Sequence, residues 1–227
     1  MFKPRLDVLP KDQHCLWGQL CERRRFLAKH DYYLAGGTAL ALQIGHRQSL
    51  DFDFFSRKNA LGRLTQDWIQ KLAGCVIRDL DTNTVHAEVR GAKISFIGAY
   101  RYRTVEPLVD ANGIKIASVV DIGLMKLLAV THRATLRDYI DLAAILKRLV
   151  PLKNLMVASR KKYGKKFNVL MCLRALVTFG DIDQEMPNLI DRTLATSWQN
   201  VLREAVKREM RRQIDGSERD PASFVED

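Results

Sequence analysis

A chain of 227 residues with 47% apolar side chains is long enough to bury a substantial core, in one large domain or two small ones. Its 37 Lys and Arg against 26 Asp and Glu leave a net charge of +11, which suits an anionic partner such as a nucleotide, RNA or an acidic protein, or a soluble protein that is simply basic. The four cysteines, Cys15, Cys21, Cys75 and Cys172, form no close C-x-x-C pair, so zinc-finger and dithiol chemistry give way to free thiols in a reducing compartment. Residues 1–7 hold no apolar leader and no run reaches membrane-spanning length, so a cytoplasmic protein with no membrane partner is expected.

In chain order, a helix is expected over 12–30, with Leu16, Leu20, Phe26 and Leu27 among its apolar positions and Arg23-Arg24-Arg25 on a solvated face. A short apolar strand then runs to Ala35, Gly36-Gly37 turn the chain, and a helix of small and leucine residues is closed by Gly45. The following strand reads Asp51-Phe52-Asp53-Phe54-Phe55. Because strand side chains alternate, Asp51 and Asp53 share one face and Phe52 and Phe54 the other. An amphipathic helix over 61–72 stops at Gly74, and three β segments follow at 75–80, 84–89 and 93–98, the last two joined by a turn at Gly91. A further strand over 113–117 leads into Ser118-Val119-Val120-Asp121, which resembles a capping box, and then into the helix of Met125, Lys126 and Leu128. Thr135 stands where it can cap the next helix, with Arg137, Asp138 and Asp141 in its early turns. From Pro151 the pattern is helical, broken near Gly180 and Pro187 and ending in a long helix over 197–214. The expected organisation is an α/β core over 1–117, a helical part over 118–215, and a loose polar tail over 216–227.

Two carboxylates on one strand offer hard oxygen ligands to Mg²⁺, which takes a few acids together with water and a substrate's phosphates. Gly36 and Gly37 allow backbone to approach a triphosphate, the next helix offers amides, and Thr38 adds a hydroxyl. Either motif alone also fits a half-buried strand or an ordinary turn; their succession is more selective. Lys126 and Arg133 share a helical face. Lys126 could act as a point charge toward phosphate, oriented by Asp141, while Asp138 and Asp141 equally suit a first helical turn and routine ion pairs.

Taken together, Gly36-Gly37-Thr38-Ala39-Leu40, His46-Arg47-x-Ser49-x-Asp51-x-Asp53-Phe54-Phe55, Ser118-x-x-Asp121-x-x-x-x-Lys126 and Arg133-x-x-x-Arg137-Asp138-x-x-Asp141-Leu142 resemble the AbiEii-type nucleotidyltransferases. These are the toxin-side proteins of AbiE and MenT toxin–antitoxin systems, within the DNA polymerase β superfamily. The likeness extends from about Leu34 to Pro187. It implies an α+β fold, with a polymerase-β-like mixed sheet, flanking helices and a helical C-terminal part. It also implies Mg²⁺-dependent transfer of a nucleoside monophosphate from an NTP to an acceptor hydroxyl, with tRNA as the best single acceptor and a cognate antitoxin as a further partner. Position by position, Asp51 and Asp53 match the metal-binding acids, and Lys126 and Asp141 complete the catalytic set. Gly36, Gly37 and Thr38 match the phosphate-side turn; Arg47 and Ser49, with Lys126, join them on the NTP side.

One departure concerns the third acid that many polymerase-β relatives carry on a neighbouring strand. The 93–98 segment offers only Lys93 and Ser95 on one face, and Glu88 is the substitute candidate. The clusters Arg160-Lys161-Lys162, Lys165-Lys166, Lys207-Arg208 and Arg211-Arg212 suit either an RNA backbone or solvated helix faces. Two further readings are a non-catalytic RNA- or protein-binding module on a degenerate nucleotidyltransferase fold, and a nucleotidyltransferase acting on protein or a small molecule.

Overall fold

The computed structural model describes residues 2–58, 63–133, 135–180, 182 and 185–219. The first residues of the helix expected over 61–72, Asp181 and the end of the expected tail lie outside them.

Seven strands form one sheet: β1 (Tyr33–Ala35), β2 (Asp51–Phe55), β3 (Cys75–Leu80), β4 (Thr84–Val89), β5 (Ala92–Ile97), β6 (Val109–Ala111) and β7 (Ile114–Ile116), in the order β3-β4-β5-β2-β1-β7-β6. Near the middle, β2 runs parallel to β5 and antiparallel to β1, and β1 is parallel to β7. The sheet is mixed, as expected. Two tight hairpins extend it. Arg90 and Gly91 join β4 to β5 with both φ angles positive (50° and 84°), and Asn112 and Gly113 join β6 to β7 in the same way (55° and 83°). That backbone matches the right-handed twist of the flanking strands. The single strand expected over 113–117 is therefore half of a hairpin, whose Asn-Gly turn supplies the two left-handed residues.

Alternation on β2 divides the sheet into two faces. Phe52 and Phe54 are fully buried; Phe52 stacks on Trp17 of α1 (Lys11–Glu22), and Phe54 on Phe96, whose ring also meets Trp68 of α4 (Arg63–Gln70) edge-on. One face of the sheet is thus closed by helices. The opposite face, bearing Asp51 and Asp53, is the floor of an open cleft.

The helix expected over 12–30 is two, α1 and α2 (Arg24–Lys29), separated at Arg23, where φ −100° and ψ 13° leave the helical range. Helix α3 (Gly36–Ile44) fills the β1–β2 connection and ends at Gly45, whose φ of 64° lets its amide donate to Ala41. The second half supplies α5 (Val119–Val130), α6 (Leu136–Arg148), α7 (Leu152–Tyr163), α8 (Val169–Ala175) and α9 (Leu194–Arg219). The Ser118 hydroxyl caps α5 by accepting from the Asp121 amide, as expected, whereas Thr135 occupies the cap position of α6 without a side-chain capping bond. Helix α9 runs through Gly216 to Arg219, past the point where a loose tail is expected. Helix α5 packs on α3, α6 and α7, and α6 packs on α9.

Asp121 fastens this helical layer to the sheet's long β5–β6 loop. Buried, it accepts hydrogen bonds from the Val105 amide (2.9 Å), the Glu106 amide (3.1 Å) and Ser118, and pairs with the buried Lys162 at 2.7 Å. Removing that carboxylate leaves an ammonium and two amides without their acceptor, and a broken buried pair costs ~3–5 kcal/mol. Asp121→Ala should lose about that much stability in urea unfolding; a loss under ~1 kcal/mol would show that the loop is held by other contacts.

Candidate active site

The cleft measures about 480 Å³ and takes its floor from β2, β5, β4 and β3 and its wall from the α5–α6 region. On the floor, register sets two rows across the strands: Asp51, Lys93 and Glu88 in one, and Asp53, Ser95 and His86 in the other. Asp51 and Asp53 therefore point into the cleft side by side, as the alternation requires. Burial and repulsion from Asp51 push the Asp53 carboxyl above its ordinary range, against a hydrogen bond from Ser95 and the attraction of Lys126 and Arg133. A divalent cation between the two acids would relieve that repulsion.

The turn before α3 is shaped by what stands next to it. Gly36 has a φ of 74°, and a Cβ there would lie 3.0 Å from Asp53 Oδ2. A Cβ on Gly37 would meet Arg47 Nη2 at 2.4 Å and Ser49 Oγ at 2.9 Å. Glycine at both positions lets the backbone lie directly against the acid and the guanidinium. Thr38 does not reach the cleft: fully buried, it donates to the Asp51 carbonyl at 2.5 Å and so fixes the start of β2.

Behind the wall lies a buried ion cluster. Asp141 is completely covered and accepts two bonds from Arg47 (2.6 and 2.9 Å) and one contact from His46 Nε2 (2.7 Å), while Lys126 Nζ lies 2.6 Å away. Burial alone would raise its pKa, yet Lys126 and Arg47 hold it well below the usual carboxylate range. Lys126 also bonds to Asp138 at 2.6 Å, and these two acids keep its pKa raised against the opposing effect of burial. Its ammonium thus donates to Asp138 and pairs with Asp141, and its side chain borders the cleft. Arg133 shares Asp138 through Nε at 2.8 Å, and Arg137 lies 3.5 Å from Asp51; both line the cleft. The cleft thus combines two carboxylates with a rim of cations, an arrangement able to hold a metal-bound polyphosphate.

A sequence profile of the nucleotidyl transferase AbiEii toxin family, of type IV toxin–antitoxin systems, matches residues 20–220. The chain belongs to that family. An uncharacterised protein of Aquifex aeolicus is 33% identical over 171 residues, 69% of this chain and 78% of its own. JHP933 from Helicobacter pylori shares the fold at 18% identity, with 91% of this chain and 97% of that one covered and a TM-score of 0.50. MenT4, a nucleotidyltransferase toxin of Mycobacterium tuberculosis, does so at 14% identity, with 86% and 82% covered and a TM-score of 0.54. The protein is accordingly an AbiEii-family nucleotidyltransferase.

Of the residues expected at the site, Asp51, Asp53, Gly37, Arg47, Ser49 and Lys126 border the cleft, Gly36 lies against Asp53, and Thr38 and Asp141 stand behind it. Asp141, expected in the catalytic set, holds Lys126 and Arg47 in place from a fully covered position. Glu88, the candidate third acid, lines the cleft with its carboxylate bonded to Arg78 through Nε (3.1 Å) and Nη2 (3.0 Å). Among the described residues no group of three or more His, Cys, Asp or Glu forms a metal-binding cluster. The sequence patterns place His46 only within a motif and Asp138 as a helix-start or ion-pair residue, and they do not mark His86. The helical spacing that placed Arg133 beside Lys126 was visible, but the carboxylate joining them sits two residues beyond a helix start and reads as an ordinary dipole partner.

Asp141→Asn should cost ~3–5 kcal/mol at pH 7, because two buried cations lose their common anion. The folded-state pKa of Asp141 is lowered, so its contribution is complete above the unfolded value near ~3.9 and disappears only as pH falls through the lower folded value. In urea titrations the gap between wild type and variant should stay constant from about pH 7 to 5 and narrow below about pH 4; a gap that closes near neutrality would remove Asp141 from the centre of the cluster. Gly37→Ala should lose ~1–3 kcal/mol through overpacking against an Arg47 that its salt bridge holds in place. Wild-type stability and nucleotide affinity in that variant would contradict the close approach.

Proposed function

We propose that the protein transfers a nucleoside monophosphate from an NTP to an acceptor hydroxyl of tRNA, with Mg²⁺ in the Asp51–Asp53 site, as the toxin of a toxin–antitoxin pair. The observation that carries this reading is the pair of carboxylates on one face of β2, pressed against a glycine corner and faced by Lys126, Arg133 and Arg137. Two acids together with phosphate oxygens and water match the ligand set Mg²⁺ prefers. When bound, the ion would neutralise phosphate charge and favour departure of pyrophosphate.

The remaining work falls to the chain. Gly36 and Gly37 would let the α3 amides approach the triphosphate, Ser49 would add a hydroxyl at the same edge, and the Lys126 ammonium would donate a hydrogen bond to a phosphate oxygen. Arg47, bound bidentately to Asp141, would keep the glycine corner and the wall in register. The acceptor oxygen forms a bond to the α-phosphorus as the bond from that phosphorus to pyrophosphate breaks. Positioning the two oxygens in line supplies much of the acceleration in such a reaction.

A tRNA acceptor is supported by the net charge of +11 and by exposed cations on α7, α9 and the segment after α7, among them Arg160, Lys161, Lys165, Lys166, Arg208 and Arg211. Part of three of these clusters is engaged within the fold, since Lys162 binds Asp121, Lys207 lies near Glu204 and Arg212 binds Glu209. No described helix is long and apolar enough to cross a membrane. The four cysteines are free thiols, which fits a cytoplasmic site of action beside a tRNA substrate and an antitoxin.

Incubation with each α-labelled NTP, Mg²⁺ and total RNA should place label in tRNA, and Asp53→Ala should lower incorporation by at least ~10³-fold, as expected when the metal site is lost. Label in protein would redirect the acceptor assignment, and unchanged labelling by Asp53→Ala would remove the site assignment.

A further inference from the structure

An acceptor hydroxyl has to lose its proton as it attacks, and the strand beside Asp53 carries Ser95 rather than an acid. Across that row of the sheet Asp53, Ser95 and His86 stand in succession. The Ser95 hydroxyl favours the Asp53 carboxylate, and His86 Nδ1 lies 3.0 Å from Ser95 Oγ. The direction of these bonds follows from the groups. A carboxylate engaged in holding a cation can only accept, so the Ser95 hydroxyl donates to Asp53. Ser95 Oγ then accepts from His86 Nδ1–H, and the neutral imidazole is left with its lone pair on Nε2. His86 is exposed and lines the cleft.

We propose that His86 is the base that receives the acceptor's proton, oriented by Ser95 on β5. This assignment rests on the nucleotidyltransferase chemistry proposed above. The acceptor O–H bond breaks with its proton passing to His86 Nε2, its oxygen bonds to the α-phosphorus, and pyrophosphate leaves with the electron pair of the broken P–O bond. The imidazolium then returns the proton to solvent. Neighbouring side chains on the floor are less suited to the task. Glu88, on the same strand, is held by Arg78 of β3, and Lys93 of β5 is a cation beside Asp51. Asp79 of β3, opposite His86 in register, accepts from the Leu80 amide through its own carboxylate. Ser95 acts as a positioning residue and Asp53 as the far end of the series.

The test pairs nitrogen NMR with single-turnover transfer. In the full-length protein with ¹⁵N-labelled histidine, the signal missing from His86→Gln identifies His86 among the five histidines. It should report an Nδ1–H tautomer in the wild type and the ordinary Nε2–H form in Ser95→Ala. His86→Gln should retain NTP affinity within about threefold and lose roughly 10²–10³-fold in transfer, the range of a general base. Ser95→Ala should lose about tenfold. Wild-type transfer by a His86→Gln protein that still binds NTP, or a proton resident on His86 Nε2 in the wild type, would overturn the assignment. Failure of the wild type itself to bind NTP would instead defeat the underlying chemistry, and the base assignment with it.

Discussion

A carboxylate with no exposure to water holds the two halves of the protein together. Asp141, on α6, accepts from Arg47 and His46 in the α3–β2 connection and lies against Lys126 on α5. Burying these charges singly would be prohibitive; together they approach neutrality, and each cation finds an anion within hydrogen-bonding distance. The geometry of the cleft follows from that mutual need. Arg47 cannot leave Asp141, so the glycine corner must pass close beside it. Lys126 cannot leave Asp138 and Asp141, so it presents a fixed charge opposite the acids of β2.

The floor of the cleft stores the opposite kind of electrostatics. Asp51 and Asp53 repel each other, and Asp53 bears this in a partly desolvated place where its carboxyl is pushed upward. Such an arrangement works against the stability of the free protein and favours a cation that would bridge the acids. Gly36 adds a left-handed backbone angle at the same point, with room for no side chain between it and Asp53. Like-charge repulsion is thus concentrated at the floor, and well-paired charge lies behind the wall. This division suits a nucleotidyltransferase that assembles its site around a charged substrate.

Much of the frame was legible from residue patterns. Alternation on β2 assigned Asp51 and Asp53 to one face and Phe52 and Phe54 to the other, and Gly45, Gly91 and Ser118 marked boundaries where the structure has them. The patterns were less informative where a side chain's task depends on distant partners. Thr38 looked like a phosphate ligand because it follows two glycines, yet its hydroxyl serves the β2 carbonyl thirteen residues away. Asp141 looks from its spacing like a participant in chemistry beside Lys126, whereas two further partners, His46 and Arg47, come from a loop 95 and 94 residues earlier in the chain. The row joining Asp53 to Ser95 and His86 depends on β2 and β5 pairing in parallel, a register that no local pattern specifies. The β6–β7 hairpin was within reach, since Asn112-Gly113 is a strong turn signal, but three-residue strands leave too little alternation to read.

The grip of the two β2 acids on a metal-bound triphosphate can be seen in a crystal structure of the protein with a non-hydrolysable NTP analogue and Mn²⁺, with anomalous maps locating the metal. An anomalous peak is expected between the Asp51 and Asp53 carboxylates, with the triphosphate running from it toward the Gly36-Gly37 corner and Lys126. A nucleotide bound elsewhere, or metal density away from both carboxylates, would contradict that grip.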